Sequence, residues 1–138
     1  MHTPSESASI EEIQAFFAND HFATDACGCT ITEASRGHAV CEFTISEVHL
    51  NGLGGVMGGA IFTLADLALA VACNVDENPT VAVANNIRYL NAAKGRRLIA
   101  TADVDKSGRT MGYYTVRVED ELGTPVAVMG ASCYRHAG

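Results

Sequence analysis

A single carboxylate, Asp66, stands in the middle of VMGGAIFTLADLALAVACN (Val56–Asn74), a stretch otherwise almost wholly apolar. Asp is a poor residue for a helix interior. Burying its charge without partners is costly, so such a group is hydrogen-bonded, neutralised or functional. A structural role would have Asp66 cap the helix or pair with a neighbouring Arg. A chemical role would make it a base or a nucleophile. Gly58-Gly59 opens the same stretch, where helix N–H groups lack intrahelical partners and the dipole is positive. Glycine lets a ligand approach that backbone closely, so a carbonyl oxygen could be held there as it becomes an oxyanion. Taken without Asp66, the glycine pair reads as a tight loop-to-helix transition.

Geometry imposes a condition on the chemical reading. Positions 58 and 66 lie about 12 Å apart along a helix rising 1.5 Å per residue, whereas catalysis needs both groups within roughly 3 Å of one reacting centre. One helix cannot supply that. Two antiparallel helices across a twofold axis would bring Gly58 of one chain to Asp66 of the other, giving a dimer with two equivalent sites.

The remaining elements must position this helix. Ser9-Ile-Glu-Glu12 is a capping box opening a short amphipathic helix over about 9–19, with Ile10, Ile13, Phe16 and Phe17 available to pack. Thr30–Ser35 and Ala39–Ser46 read as strands, followed by the glycine-rich loop His49–Met57 and the apolar helix. Val81–Leu90, Arg97–Asp105, Met111–Glu119 and Val126–Arg135 read as further strands separated by turn residues. The order is α-β-β-α-β-β-β-β in one domain over 1–138, without repeats or a linker. Short turns favour an antiparallel sheet. A helix apolar all round needs more cover than one face of a small sheet, so the expected fold is α+β, a sheet curled around the helix with a second subunit closing the rest.

Composition narrows the partners. The 138 residues are 48% hydrophobic, enough for a core, and carry a formal net charge of −7. No basic excess exists for a general nucleic-acid or anionic-membrane surface, though a small anion held by a few local cations is allowed. The segment Ala60–Cys73 is shorter than the ~20 residues a bilayer requires. Met1–Ser9 has neither a basic start nor an apolar run, and five cysteines is an odd number, so a reducing cytoplasmic setting is expected. Cys27-Gly-Cys29 lacks a second pair, so no metal site is expected.

The stretch NGLGGVMGGAIFTLADLALAVACN resembles the signature of hotdog-fold acyl-CoA thioesterases of the phenylacetate-pathway type. That signature has an Asn, a His-Gly-Gly and a Leu-Ala-Asp, and Asn51, Gly58, Gly59, Leu64, Ala65 and Asp66 match it in type and spacing. The segment NIRYLNAAKGRRLIATADVDKSGRTMGYYTVRVEDELGTPVAVMGASCY also follows the pattern, so the resemblance covers about residues 30–135. It implies a hotdog fold, an antiparallel sheet wrapped around a long central helix, paired into homodimers and often homotetramers. It implies hydrolysis of an aryl- or medium-chain acyl-CoA with no cofactor, coenzyme A being part of the substrate. The Gly58 amide would polarise the thioester carbonyl. Asp66 of the partner subunit would activate water or attack, and Asn51 would orient the acid or the water.

The chain departs from the pattern at Met57, which stands where the family has His. Methionine cannot donate a hydrogen bond or shuttle a proton. The alternative is therefore a non-catalytic hotdog protein that binds acyl-CoA. His49 is a candidate substitute, against the simpler reading of an exposed loop His. Where the family often carries Ser or Thr after the helix, Ala82 and Ala84 occur, with Asn85 and Asn86 beyond; strand register decides which Asn faces the site. Substrate-binding candidates are thus Met57, Gly59, Phe62, Asn85, Asn86, Lys106 and Arg109, with Leu53, Phe62 and Tyr113 candidates for the acyl pocket. Lys94, Arg96 and Arg97 form a second cation cluster for phosphate. The resemblance suggests that the Lys106-Ser-Gly-Arg109 loop lies near the nucleotide. A hydratase is poorly supported, since Asp76-Glu-Asn-Pro79 follows the helix and Val81 replaces the motif's His. A serine hydrolase is too, for no G-x-S-x-G occurs.

Overall fold

The structure, a computed structural model, describes residues 2–137, so Met1 and Gly138 of the expected single domain lie outside the described residues. The capping box forms as expected. Ser9 Oγ accepts from the Glu12 amide and Glu12 Oε1 accepts from the Ser9 amide, both at 3.1 Å. Helix α1, Ile10–Phe17, buries Ile13 and Phe17. A turn of π-helix, Phe22–Ala26, follows; no sequence signal announced it. It buries Ala23 and leaves Phe22 projecting, 73% exposed.

Strands β1 (Thr30–Ser35) and β2 (His38–Thr44) turn through Gly37, whose φ of +76° suits glycine. Strand β2 stops two residues short of the expected Ser46, because Ser46 precedes a turn of 3-10 helix, Glu47–His49. Helix α2 spans Gly58–Asn74, and β3 (Thr80–Tyr89), β4 (Arg97–Ser107), β5 (Met111–Asp120) and β6 (Pro125–Arg135) complete the chain. Strand β4 runs past the expected Asp105 because the ladder to β5 continues through a bulge between Val104 and Lys106.

All six strands form one antiparallel sheet in the order β1-β2-β4-β5-β6-β3. Its period-2 alternation sends Ala39, Cys41 and Phe43 of β2, Leu98, Ala100 and Ala102 of β4, Val116 and Val118 of β5, and Met129, Ala131 and Cys133 of β6 to one buried face. Helix α2 lies across that face and buries Ile61, Leu64, Ala65, Leu67, Ala68, Leu69, Val71 and Ala72. This is the α+β, sheet-around-helix arrangement expected.

The sheet does not close around α2. Strand β3 is an outer strand with nearly every residue exposed, Val81 at 53% and Val83 at 60% among them. Gly59, Phe62, Thr63, Asp66 and Ala70 lie along the face of α2 that the sheet leaves uncovered or only partly covered. Asp66 is therefore exposed within one chain, which corrects the expectation that its own chain buries it. An apolar helix face beside an unpaired strand edge leaves both unsatisfied.

Candidate active site

The loop ahead of α2 is built on its own backbone. Leu50 and Val56 form a bridge, and the Asn51 amide donates to the Gly55 carbonyl at 2.8 Å. Asn51 Oδ1 accepts from the amides of Leu53 (2.9 Å) and Gly55 (3.2 Å). The carboxamide oxygen of Asn51 is thus engaged in shaping the loop. Its Nδ2 is left as the group able to meet a ligand or water. Gly54, at φ +83°, occupies the left-handed turn position.

Met57 is the N-cap of α2. Its own amide donates to the His49 carbonyl (2.8 Å), and its carbonyl accepts from Ala60 (3.0 Å) and Ile61 (3.3 Å). A Ser or Asp here would take one of the free amides; Met57 has no group to do so. Among the described residues, the amides of Gly58 and Gly59 meet no backbone acceptor. Two free N–H groups at the positive end of a 17-residue helix are an anion or oxyanion receptor. Tyr89 lies against this point, its hydroxyl donating to the Gly58 carbonyl at 3.0 Å. A Cβ on residue 58 would stand 3.0 Å from Tyr89 Cζ, a tight contact that would push the ring outward, so glycine lets the ring lie close.

Asp66 is on the same helix, so one chain does not bring it to Gly58. Its apolar surroundings push its carboxyl pKa up, and the nearby Asp20 carboxylate pushes it further in the same direction. Partial desolvation by neighbouring groups likewise pushes Asp20 up, partly countered by His21. Asp20, in the segment joining α1 to the π-turn, was not singled out from the sequence. Nothing local marks it, because 46 positions separate it from Asp66.

His49 is neither an exposed loop residue nor a stand-in for the missing His. It is 3% exposed, and its ring stacks on Phe43 with centroids 3.9 Å apart. Nδ1 accepts from the Ser46 amide at 3.0 Å, so Nε2 carries the proton and donates to the Cys27 carbonyl at 2.7 Å. Both nitrogens are committed to holding the π-turn against the loop.

Two cavities flank the start of α2. One, about 520 Å³, is lined by Asn51, Leu53, Gly58, Tyr89 and Leu90 among others. The second, about 340 Å³, has mainly apolar walls from Phe22, Val48, Met57, Gly59, Ala60 and Thr63. Leu53 and Met57 thus border the site, and Phe62 lies half-buried on the partly covered side of α2. Tyr113 does not. It alternates with buried Gly112 and Tyr114 and points from the outer face of the sheet, which corrects its assignment to the acyl pocket.

Register separates the two asparagines. Asn85 pairs with buried Ala131 and shares the helix side of the sheet, whereas Asn86 pairs with exposed Gly130 on the outer side. The cation clusters separate too. Lys94, Arg96 and Arg97 precede or open β4, at the end of the sheet where β3 finishes beside Gly58. Of these, Arg97 lies 3.6 Å from Glu42. Lys106 and Arg109 flank the β4–β5 turn at the opposite end, where β3 begins. Ten residues of β3 put roughly 30 Å between those ends.

The β4–β5 turn is held by a residue the sequence did not single out. Arg135, 5% exposed, donates to Ser107 Oγ (3.0 Å), the Gly108 carbonyl (2.8 Å), Tyr114 Oη (3.1 Å) and Thr80 Oγ1 (3.2 Å), and pairs with Glu77 at 2.8 Å. Among the described residues, no group of three or more His, Cys, Asp or Glu is placed to hold a metal ion. Nor is any helix among them long and apolar enough to cross a membrane.

Comparison with known proteins identifies this architecture. The family model described as the thioesterase superfamily matches residues 53–127, which include the end of the loop, α2, strands β3 to β5 and the start of β6. Acyl-coenzyme A thioesterase PaaI of Escherichia coli (strain K12) is 33% identical over 129 residues, covering 93% of this chain and 91% of that one. Acyl-coenzyme A thioesterase 13 of Homo sapiens is 36% identical over 104 residues, covering 73% and 74%. The solved structure of the E. coli PaaI protein, from the phenylacetic acid degradation operon, superposes with a TM-score of 0.83 over 90% of each chain.

Proposed function

Given that the chain belongs to the thioesterase superfamily and is a hotdog-fold enzyme of that class, we propose that it hydrolyses an aryl- or medium-chain acyl-CoA to the free acid and coenzyme A. The site is shared between two subunits. One observation carries this reading: Asp66 projects from the face of α2 that the sheet leaves bare, while the free amides of Gly58 and Gly59 open the same helix.

A twofold antiparallel pairing of α2, with the β3 edges joined, covers both unsatisfied surfaces at once. It sets Gly58 of one subunit opposite Asp66 of the partner subunit. The Gly58 amide then polarises the thioester carbonyl and stabilises the charge that grows on its oxygen. Asp66 of the partner subunit takes a proton from water or attacks the carbonyl carbon, and coenzyme A leaves as the thiol. Its raised pKa makes it a stronger base than an ordinary carboxylate. Asn51 Nδ2 orients the water or the acid, and Asn85 reaches the site from β3.

The same pairing brings the start of the partner's β3, and with it the partner's Lys106 and Arg109, to the Gly58 end. Those side chains, with Lys94 and Arg96 of the first subunit, supply positive charge for the coenzyme A phosphates. No cofactor enters. Two such dimers form a homotetramer in this reading, in the reducing cytoplasm where the five free cysteines stay thiols.

One observation favours a second reading, acyl-CoA binding without turnover: the cap position holds Met57, and His49 is fully committed elsewhere. Thiol release from a panel of acyl-CoA esters separates the two. We expect turnover by the wild type and a loss of at least about two orders of magnitude in Asp66→Asn. Tight binding with no release from any ester would establish the second reading instead.

A further inference from the structure

Tyr89 ends β3, 31 positions from Gly58 in the chain, yet the two are in direct contact. The hydroxyl donates to the Gly58 carbonyl oxygen at 3.0 Å, and the ring lies against the Gly58 Cα, where an added Cβ would stand 3.0 Å from Cζ and 3.1 Å from Oη. Nothing about packing the end of a strand requires this bond. Tyr89 is 51% exposed, and its ring lines the cavity that Asn51, Leu53 and Gly58 also border.

The peptide unit involved is the one that matters. The Gly58 carbonyl and the Gly59 N–H belong to a single planar group. A hydrogen bond accepted by the oxygen draws electron density toward it and makes the N–H across the plane a stronger donor. The same bond reinforces the orientation of a plane that stands in the first turn of α2 between two glycines. Met57 contributes nothing here, because it offers no polar cap. Tyr89 therefore supplies, from outside the helix, the side-chain contact to this peptide that the cap residue does not.

We propose that Tyr89 is a positioning residue for thioester hydrolysis, which orients and polarises the Gly58–Gly59 peptide so that the Gly59 N–H, the second free amide of the helix start, faces the substrate carbonyl beside that of Gly58. This rests on the reading of the start of α2 as the polarising group, and adds the Gly59 N–H to that of Gly58. Tyr89 does not itself touch the reacting atoms; it acts through the backbone it holds. The glycine at 58 and the tyrosine at 89 are then one device, the missing Cβ making room for the ring that delivers the hydroxyl.

The test compares wild type, Tyr89→Phe and Asp66→Asn on an acyl-CoA ester that the wild type turns over. It also uses a ketone analogue of that ester, with CH2 in place of the thioester sulfur, whose carbonyl stretch is read in the bound state. Tyr89→Phe removes one oxygen and keeps the ring, so we expect an unchanged melting temperature and a KM within about twofold. We expect kcat to fall about tenfold, less than the loss of a direct oxyanion donor. The bound ketone's carbonyl stretch should move to higher frequency, because the amides polarise it less. A Tyr89→Phe enzyme with wild-type kcat and an unshifted carbonyl overturns the role of Tyr89. So does a loss of rate carried by KM or by a lower melting temperature alone. If Asp66→Asn is inactive while Tyr89→Phe is fully active, only the Tyr89 proposal falls; if Asp66→Asn keeps full turnover, the shared-site reading falls. The ketone frequency needs no turnover, so it judges Tyr89 in either case.

Discussion

Arg135 and Gly108 are joined by a 2.8 Å hydrogen bond from the guanidinium Nη1 to the carbonyl oxygen, which pins the β4–β5 turn to the last residue of β6. The same side chain spans Thr80 at the start of β3 and Tyr114 inside β5. Glu77 neutralises it at 2.8 Å. One buried cation therefore organises the sheet end that carries Lys106 and Arg109.

Replacing Arg135 by Met leaves Glu77 only the more distant Arg36, 3.9 Å away, and frees the turn. Breaking a buried pair from one side costs about 3–5 kcal/mol, and we expect Arg135→Met to lose stability of that order in urea unfolding. At a temperature where the variant remains folded, KM for acyl-CoA should rise, because the turn that presents Lys106 and Arg109 is no longer fixed. An unchanged midpoint would show that the guanidinium contributes no net stability.

Asp20 gives a handle on the base. Asp66 must be ionised to act, so kcat/KM should fall as pH drops through its pKa, which low local hydration and the Asp20 charge both hold above the ordinary carboxylate value. Asp20→Asn removes the second cause. The acid limb of the pH–rate profile should then move to lower pH while the neutral plateau is kept. A limb that stays in place would mean Asp20 does not influence the catalytic carboxylate.

Asp120 makes a different pH prediction. Burial pushes its carboxyl up, but hydrogen bonds from the amides of Thr124, Lys94 and Gly95 outweigh that and hold it well below the usual range. A folded-state pKa below the unfolded one contributes stability that is present above the unfolded pKa and lost as pH falls through the folded one. Asp120→Asn turns an NH2 toward two of those donors. It should lower the melting temperature at neutral pH, and the gap to wild type should close progressively in acid. Melting curves from neutral pH down into strong acid check this; a constant gap would rule it out.

Met57→His restores a group that can donate and accept at the cap of α2. We expect turnover to be preserved or raised, measured as thiol release from the same ester panel. Collapse of activity in well-folded protein would place Met57 in a site built on other lines.

The sequence makes the frame of this site legible wherever the signal is local. The Ser9–Glu12 capping box, the apolar run of α2 and the period-2 strands each depend on neighbours a few positions away, and β1 falls where its residues indicate, Thr30–Ser35. The isolated acid and the glycine pair were visible because their oddity is also local. The π-turn at Phe22–Ala26 was not, since it is fixed by tertiary partners such as the His49–Cys27 bond. Tyr89, Arg135 and Asp20 carry no local mark for the same reason, because their importance comes from residues 21 to 58 positions away. Asn85 and Asn86 could not be told apart until a bulge between Ala82 and Ala84 set the register of β3.

The length of helix between Gly58 and Asp66 also governs how damaged subunits behave in mixtures. If each reaction chamber draws its two halves from different chains, a preparation lacking Asp66 and another blocked at residue 58 are separately dead for complementary reasons. Unfolded and reassembled together in equal amounts, they should regain about a quarter of the normal chambers, since half the pairs are hybrids and each hybrid owns one unspoiled chamber. Silence from that mixture would mean that each chain works alone.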